Sequence, residues 1–468
     1  MPLLRRAPLL TALISLVALS GTRPVSPSPP GPTGGVEEAI PMMMNAYGVD
    51  GLSVVVVRGQ ETVLARGFGV QADGTPFTAD TPVGAYSATK ALSSFVYASL
   101  VEDGRIDLDA RLGGLLDDAP DAWAEIPFWR LLNHTSGIPM IVNRPEFEAL
   151  AANPTSSNAD VYEIVRQLPL DYAPGEASRY RQSGYAIAEM ILEDRLGATW
   201  LELVAEHLTS PAGAAATAHA HVASGARTTP LLASAGWYET TADDMAAIFK
   251  ALNAGAVVDP AFLEDVLFQD RYDFDGYSLG SILETIDGVR TVGHQGGGAR
   301  ATIRYVPSRG VGVAVFTDDR ENNDLAIHLA ELFVREAALG QEPERPVAVA
   351  LFSMRSAPAE DVVAFYQAES RRSGAPFDFA RGEWALNRLG YMLLQEGRMD
   401  DAVTVFELNA REHPQSANVH DSLGEGYLER GDLDAALRSY RRVLELAPRS
   451  RNAPRMIEQI EAMRDGEP

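Results

Sequence analysis

Short apolar runs and polar turns define strands at both ends of the region from residue 37 to 338. The apolar run at 52–57 predicts a buried strand, and the run at 62–65 follows after a short polar segment, as in a hairpin. A second hairpin is predicted at 301–306 and 311–316, which flank a Pro-Ser-Arg-Gly turn.

Stretches with helical periodicity lie between these hairpins, for example at 91–100 and 242–252. Strands at both ends with helices between them predict one α+β domain whose terminal strands share a sheet.

The last part of the chain has a different pattern, a 34-residue repeat. Six positions recur at that spacing: Leu389, Gly390, Gly397, Ala402, Phe406 and Pro414 return as Leu423, Gly424, Gly431, Ala436, Tyr440 and Pro448. Small residues where two helices cross, with a proline at the end, are typical of tetratricopeptide repeats. We therefore predict an α-helical tetratricopeptide domain at 381–465, preceded by a linker with a helix at 339–380.

Two repeats fall short of the roughly three that independent stability usually needs. Flanking helices at 360–371 and 451–463 are expected to cap the repeats, or the repeats are expected to pack on the first domain. Such repeats commonly offer a groove to a protein or peptide partner. A purely structural role for the repeats is equally consistent with the sequence.

The N-terminus has the pattern of an export signal. Arg5 and Arg6 precede an apolar run at 8–19, and small residues follow at cleavage spacing. We predict a signal peptide at 1–20 and a proline-rich linker at 21–36, which places the protein in the periplasm or outside the cell. An uncleaved signal that anchors the chain in the membrane is the alternative.

Charge and composition exclude or disfavour several kinds of binding and catalysis. The net charge of −25 disfavours nucleic-acid binding. The absence of cysteine excludes disulfides, thiolate metal sites and cysteine nucleophiles. His219 and His221 lie near no carboxylate at ligand spacing, so we predict neither a metal nor a cofactor.

Lysine is rare in this sequence, and its positions are therefore informative. Only Lys90 and Lys250 are lysines among 39 basic residues. A desolvated lysine can lose its proton, whereas arginine cannot. Ser87 precedes Lys90 by three residues at the start of a helical stretch, which puts the two side chains on one side. A neutral amine there could activate the serine hydroxyl. A helix-capping serine beside a surface lysine explains the spacing equally well.

Three further segments favour the catalytic interpretation. Tyr180 stands two residues before the amide of Gln182, and His294 lies in a glycine-rich strand edge at 293–298. His134 begins a His-Thr-Ser-Gly turn between apolar segments and is interpreted as a structural hydrogen-bonding residue.

With these motifs, in this order, residues 40–335 resemble the serine β-lactamase and penicillin-binding-protein superfamily. The nearest members are class C β-lactamases and their esterase and D-aminopeptidase relatives. The resemblance implies a β-lactamase/transpeptidase-like domain, with an antiparallel sheet and a helical subdomain. It also implies a role for each matching residue: nucleophile Ser87, proton acceptor Lys90, proton relay Tyr180, oxyanion-hole N–H groups of Ser87 and Gly297, and substrate-binding Gln182, His294 and Gly296.

Two departures from the family pattern change which substrates we expect. Gln182 stands where the family usually has asparagine, one methylene shorter. His294 replaces a lysine, and a histidine is mostly neutral at pH 7, which weakens recognition of the β-lactam carboxylate. We therefore expect an exported serine hydrolase that cleaves small esters or D-amino-acid-type amides. The alternatives are a β-lactamase or D,D-carboxypeptidase, or a catalytically weak binding protein that uses its repeats.

A second serine motif, Gly-Tyr-Ser-Leu-Gly at 276–280, matches the nucleophile elbow. That elbow requires a strand before the serine and a helix after it. Here a polar segment precedes Ser278 and a predicted hairpin follows it. We expect Ser278 to be a strand residue without a catalytic role.

Overall fold

The computed structural model describes residues 34–318, 324–341, 344–448, 450 and 452–465. The predicted signal peptide and most of the predicted proline-rich linker lie outside the described residues. The strands are β1 (Gly51–Arg58), β2 (Glu61–Gly69), β3 (Val83–Gly84), β4 (Ala218–His219), β5 (Tyr238–Thr240), β6 (Tyr277–Ser278), β7 (Ser281–Ile286), β8 (Val289–Gly296), β9 (Ala301–Val306), β10 (Val311–Thr317), β11 (Arg345–Pro346) and β12 (Phe377–Asp378).

Helices make up most of the remainder. The α-helices are α1 (Gly34–Tyr47), α2 (Thr89–Glu102), α3 (Leu112–Leu115), α4 (Trp129–Leu132), α5 (Pro145–Ala152), α6 (Asn158–Val165), α7 (Ser183–Leu196), α8 (Trp200–Val204), α9 (Ser210–Ala212), α10 (Ala220–Ala223), α11 (Ala242–Asn253), α12 (Pro260–Leu267), α13 (Leu325–Leu339), α14 (Val347–Ser353), α15 (Ala359–Glu369), α16 (Gly382–Gln395), α17 (Met399–Glu412), α18 (Ala417–Arg430), α19 (Leu433–Leu446) and α20 (Asn452–Asp465). Single turns of 3-10 helix occur at Tyr86–Ala88, Asp121–Trp123 and Pro307–Arg309, and a π-helical turn at Ala205–Thr209. Within the described ranges, no helix has the length and apolar character needed to cross a membrane.

A seven-stranded antiparallel sheet organises the first domain, in the order β2-β1-β10-β9-β8-β7-β6. Both predicted hairpins are present, as β1–β2 and β9–β10. The terminal strands pair through β1 and β10, where Val55 lies opposite Ala314. The predicted α+β domain with a sheet shared by its two ends is therefore confirmed.

Alternation along β1 gives the sheet two buried faces. Val55 and Val57 pack in one core, together with apolar residues of α2 and α11. Val54 and Val56 pack in a second core with apolar residues of α1 and α13. Because strand side chains alternate, α2 and α13 cover opposite faces of the sheet.

The repeats pack on the second of these faces. Helices α16 and α17 form one helical pair and α18 and α19 the next, and Gly390 and Gly424 let the rings of Phe406 and Tyr440 approach closely. Residues of α14, α16 and α17 belong to the same core as α1 and α13. The segment 339–380, expected to be a linker with a helix, thus contributes α14 and α15 to a continuous apolar core.

An aromatic cluster marks the contact between the repeats and the first domain. The Trp384 ring of α16 lies 5.8 Å from the Tyr47 ring and 4.7 Å from the His328 ring. The Tyr47 hydroxyl is hydrogen-bonded to His328 Nδ1 (2.5 Å). Aromatic packing of this kind contributes beyond the area it buries, so the contact ties the repeats to the sheet.

Candidate active site

The chain turns sharply just before Ser87. Tyr86 has φ +48°, a left-handed value that is unusual for a bulky residue, and the 3-10 turn Tyr86–Ala88 leads directly into α2. Ser87 is half-buried and lines a cleft of about 460 Å³. The turn therefore presents the Ser87 side chain to an open cavity at the start of a long buried helix.

Lys90, one turn further on, is fully buried. Its Nζ donates a hydrogen bond to the carbonyl oxygen of Ala235 (2.6 Å). Burial lowers the pKa of Lys90 to about 7, although attraction to Glu189 opposes that shift. Lys90 can therefore be neutral near pH 7, as a proton acceptor must be. Within the described part of the chain, no hydrogen bond joins the Ser87 hydroxyl directly to the Lys90 nitrogen.

Tyr180 lies against both of these side chains. The Lys90 nitrogen is 4.8 Å from the centre of the Tyr180 ring. Burial raises the pKa of the Tyr180 hydroxyl to about 12, and a hydrogen bond with the Ser87 side chain opposes the rise. The structure thus brings Tyr180 against Lys90, one helical turn from Ser87.

An aromatic shell that the sequence did not reveal supports Tyr180. The His134 ring lies 4.5 Å from the Tyr180 ring and 4.6 Å from the Tyr277 ring. The Tyr185 hydroxyl lies 3.2 Å from the Tyr277 hydroxyl. His134 Nδ1 accepts a hydrogen bond from the Arg181 N–H (3.1 Å), which agrees with the structural role expected for this histidine. Tyr277 belongs to the second serine motif, the only hint of its position in the sequence.

His294 differs from its expected place on the substrate-binding edge. It is only 4% exposed, and its ring lies 6.0 Å from the Tyr180 ring, behind the tyrosine rather than on the cleft surface. Burial, together with the nearby Lys90, lowers the pKa of His294 to about 3, so this imidazole is neutral at pH 7. The side chain is enclosed because the end of β8 packs closely against the Ser87 turn.

Gly296 and Gly297 are required by that close approach. A Cβ at residue 296 would lie 2.6 Å from the Ser87 backbone nitrogen. A Cβ at Gly297, which has φ +61°, would lie 2.4 Å from the Tyr86 ring. The end of β8 therefore runs beside the Ser87 turn, and Gly297 lines the same cleft as Ser87.

Gln182 also lines the cleft, at the residue before α7. Its Oε1 is buried and has no hydrogen-bond partner among the described residues. A buried acceptor without a partner is costly unless a ligand satisfies it. The opposite wall is apolar, with the side chains of Phe147, Leu232 and Trp237. The cleft thus combines an amide side chain with an apolar wall.

The second serine motif does not form a nucleophile elbow. Ser278 lies in the short strand β6, is fully buried, and is followed by β7 instead of a helix. This confirms the expectation that Ser278 is a strand residue. In the described part of the chain, no group of three or more His, Cys, Asp or Glu side chains is arranged to hold a metal ion.

Family models of known proteins match both parts of the chain. The beta-lactamase family model matches residues 36–338, and a tetratricopeptide repeat model matches residues 419–454. The chain is 26% identical to penicillin-binding protein 4 of Amycolatopsis lactamdurans over 182 residues, 38% of this chain and 46% of that protein. It is 38% identical to human Superkiller complex protein 3 over 68 residues, 14% of this chain and 4% of that protein. The chain thus spans less than half the length of either curated relative.

Solved structures share the fold of the first domain. The octameric penicillin-binding protein homologue from Pyrococcus abyssi superposes with a TM-score of 0.56 at 21% identity, over 69% of this chain and 81% of that one. The D-amino acid amidase from Ochrobactrum anthropi SV3, complexed with L-phenylalanine amide, superposes with a TM-score of 0.54 at 18% identity, over 65% and 99%. At these identities the likeness concerns the fold.

Proposed function

Because the chain belongs to the beta-lactamase family, whose fold is that of serine hydrolases, we propose that it forms an acyl-enzyme on Ser87. The observation that carries this proposal is the fully buried Lys90, one helical turn from Ser87 at a cleft, with its nitrogen 4.8 Å from the centre of the Tyr180 ring. A structural pair of a capping serine and a surface lysine would not account for a lysine that is fully buried.

We propose a proton path that runs through the tyrosine. The Tyr180 hydroxyl takes the Ser87 proton as Ser87 Oγ attacks the substrate carbonyl, and gives its own proton to the neutral amine of Lys90. A phenol with a pKa of about 12 is almost wholly protonated at pH 7, so it works as a relay. The proton then passes to the leaving group, and water later releases the acyl group from Ser87.

The oxyanion would be held by the backbone N–H groups of Ser87 and Gly297, which line the same cleft. Donors of this kind typically contribute about 3–4 kcal/mol each to transition-state stabilisation. The Ser87 turn and the end of β8 are in van der Waals contact at Gly296, which keeps these two donors at a fixed separation.

We propose small esters or D-amino-acid-type amides with an apolar group as substrates. The apolar wall at Phe147, Leu232 and Trp237 would bury that group, and the Gln182 side chain lines the same cleft. The neutral His294 supplies no positive charge for a substrate carboxylate. The structural likeness to D-amino acid amidases agrees with this choice.

Intact-mass measurement after treatment with a fluorophosphonate probe tests the nucleophile. We expect the wild-type protein to gain one probe, Ser87→Ala to gain none, and Ser278→Ala to be labelled like wild type. Ser278→Ala is a matched control because it removes the other motif serine. Labelling that survives in Ser87→Ala, or that disappears in Ser278→Ala, would contradict the proposal.

The second candidate function is a β-lactamase or D,D-carboxypeptidase, favoured by the identity to penicillin-binding protein 4. Rates on a nitrocefin-type lactam and on a p-nitrophenyl ester separate the two candidates. We expect the higher kcat/KM for the ester. A preference for the lactam would reverse the order of the two candidates.

Export to the periplasm or the medium is also proposed, because the sequence at 1–20 has the pattern of a signal peptide. Mass spectrometry of protein from the exporting cell would detect the expected cleavage, and a full-length N-terminus in the membrane fraction would indicate an anchor instead. The tetratricopeptide repeats would offer a surface to a protein or peptide partner.

A further inference from the structure

A buried carboxylate lies in α7, outside the expected catalytic set. Glu189 is fully buried, and four donors surround its two oxygens. Oε1 accepts hydrogen bonds from the Ser234 N–H (2.6 Å) and the Ser234 hydroxyl (2.5 Å). Oε2 accepts hydrogen bonds from Asn158 Nδ2 (2.6 Å) and the Ala233 N–H (3.2 Å). A buried carboxylate with four donors is organised for its ionised form.

The segment held by this carboxylate also holds Lys90. The carbonyl oxygen of Ala235, one residue after Ser234, accepts the hydrogen bond from Lys90 Nζ (2.6 Å). The preceding carbonyl, that of Ser234, accepts a hydrogen bond from the Ser93 hydroxyl of α2 (2.8 Å). Three successive residues, 233–235, therefore link Glu189 on α7 to Lys90 on α2.

Glu189 is also the anionic side chain that acts on Lys90. The other titratable groups around the lysine come from the turn before α7, from α7, from the His-Thr-Ser-Gly turn and from β8: Tyr180, Tyr185, His134 and His294. Burial raises the pKa of both tyrosines and lowers the pKa of both histidines, so all four are neutral at pH 7. The charge balance at Lys90 thus depends on Glu189.

We propose that Glu189 is a positioning residue for Lys90: it fixes the 233–235 segment that holds the lysine nitrogen, and its charge sets the pH at which the lysine becomes a base. The inference rests on the proposed function, because it requires Lys90 to accept a proton during acylation. Glu189 itself lies behind the segment and does not reach the cleft.

The two effects of the protein on Lys90 have opposite signs. Burial alone favours the neutral amine, and the attraction to Glu189 favours the protonated form. Burial and the neighbouring charge of Glu193 raise the pKa of Glu189 to about 7, and the donors from Ser234 and Asn158 oppose that rise, so the carboxylate prevails above neutral pH. Tyr97 and Tyr238 also face Glu189, and burial raises the pKa of both, so both are neutral at pH 7. Removing the carboxylate should therefore lower the pKa of Lys90 further.

The test is the pH profile of Ser87 acylation, measured as kcat/KM on a neutral p-nitrophenyl ester and as the rate of fluorophosphonate labelling. In Glu189→Gln we expect the acid limb of this pH–rate profile, where kcat/KM rises with pH, to move to lower pH. The expected shift is about one pH unit or more, because a neighbouring opposite charge usually shifts a pKa by that amount. The matched control is Asp194→Asn, which removes an exposed carboxylate from the same helix α7. Its acid limb should stay at the wild-type position.

A second variant distinguishes the loss of the charge from misfolding of Glu189→Gln. In Glu189→Gln the new amide would face another amide donor, Asn158 Nδ2. The Oδ1 of Asn158 already accepts a hydrogen bond from the Leu232 N–H (3.0 Å). Asn158→Asp combined with Glu189→Gln restores an acceptor opposite that amide and moves the charge to residue 158. We expect the double variant to regain kcat and to have an acid limb between those of Glu189→Gln and wild type.

The outcomes separate the inference from the function on which it rests. If wild-type Ser87 is not labelled at all, the proposed function fails. If Ser87 is labelled in a folded Glu189→Gln protein and its acid limb coincides with that of wild type, the inference fails and Glu189 is merely structural. An equal shift in Asp194→Asn would also overturn it, because any charge on α7 would then have the same effect.

Discussion

One added methyl group tests how closely the candidate site is assembled. In Gly296→Ala the new Cβ would lie 2.5 Å from the Ala85 carbonyl oxygen, 2.6 Å from the Ser87 nitrogen and 2.7 Å from the Ala88 nitrogen. All three neighbours are backbone atoms, which cannot rotate away as a side chain would. Ordinary contacts of a Cβ start at 3.4 Å, so the end of β8 and the Ser87 turn must separate.

The separation needed is roughly 1 Å, and a misplacement of that size costs about 100-fold in rate. It would widen the gap between the Ser87 and Gly297 N–H groups, where the oxyanion is proposed to bind. We expect kcat/KM of Gly296→Ala to fall by about 100-fold or more, mainly in kcat. Overpacking should also lower the free energy of unfolding, by about 1–3 kcal/mol.

The assay is steady-state hydrolysis of a p-nitrophenyl ester, with urea unfolding to measure stability. Gly114→Ala is the control, because a Cβ at Gly114 meets no atom within 4 Å and the backbone there is not left-handed. It should retain wild-type kcat/KM. A folded Gly296→Ala protein with wild-type kcat/KM would refute the argument that this strand edge and the Ser87 turn form one site.

Three further predictions concern the base, the relay and the repeats. Because burial lowers the pKa of Lys90 to about 7, kcat/KM should rise as the pH increases through 7, and Lys90→Arg, which keeps a fixed charge, should lose about 10³-fold in kcat/KM at every pH. Tyr180→Phe should lower kcat by about 10²–10⁴-fold, with little change in KM, because it removes the relay hydroxyl and keeps the ring; an unchanged kcat would exclude the relay. Trp384→Ala should lower the free energy of unfolding in urea by about 3 kcal/mol and leave kcat/KM of the folded protein unchanged, because the aromatic cluster lies across the sheet from Ser87.

Local patterns were sufficient for the main elements of the fold. The valine run of β1, the turns of the two hairpins and the 34-residue spacing of the repeats each depend on neighbours that are close in sequence. The pairing of β1 with β10 followed from the position of strands at both ends of the domain. The shared core between the repeats and the sheet could not be predicted from local patterns. It depends on α14, which lies in a segment whose sequence resembles a linker with a helix.

The surroundings of Lys90 could not be predicted in the same way. Glu189, Ala235 and Tyr277 reach the lysine and its tyrosine from three distant parts of the chain. Only Glu189 left a signal, since it is a lone carboxylate in an otherwise apolar stretch at 185–192. A charged residue on the buried face of a helix requires partners, so that pattern predicts a buried polar network.

His294 shows why a matching motif does not fix the exposure of a side chain. The sequence placed it correctly on the strand beside the nucleophile, but its contact with a substrate depends on how closely β8 approaches Tyr180. That approach encloses the ring and lowers the pKa of His294 to about 3. Gln182, by contrast, lines the same cleft as Ser87.

The position of the repeats limits how a bound partner could affect catalysis. Their core includes Val54 and Val56 of β1, whereas Val55 and Val57 face the helices that carry Ser87 and Lys90. A partner on the repeats would therefore lie across the sheet from the cleft and could hold the hydrolase in place without covering Ser87. Any effect on the rate would have to pass through β1 and its neighbours, a packed sheet with little freedom to shift. The arrangement favours repeats that locate the hydrolase over repeats that switch it on or off.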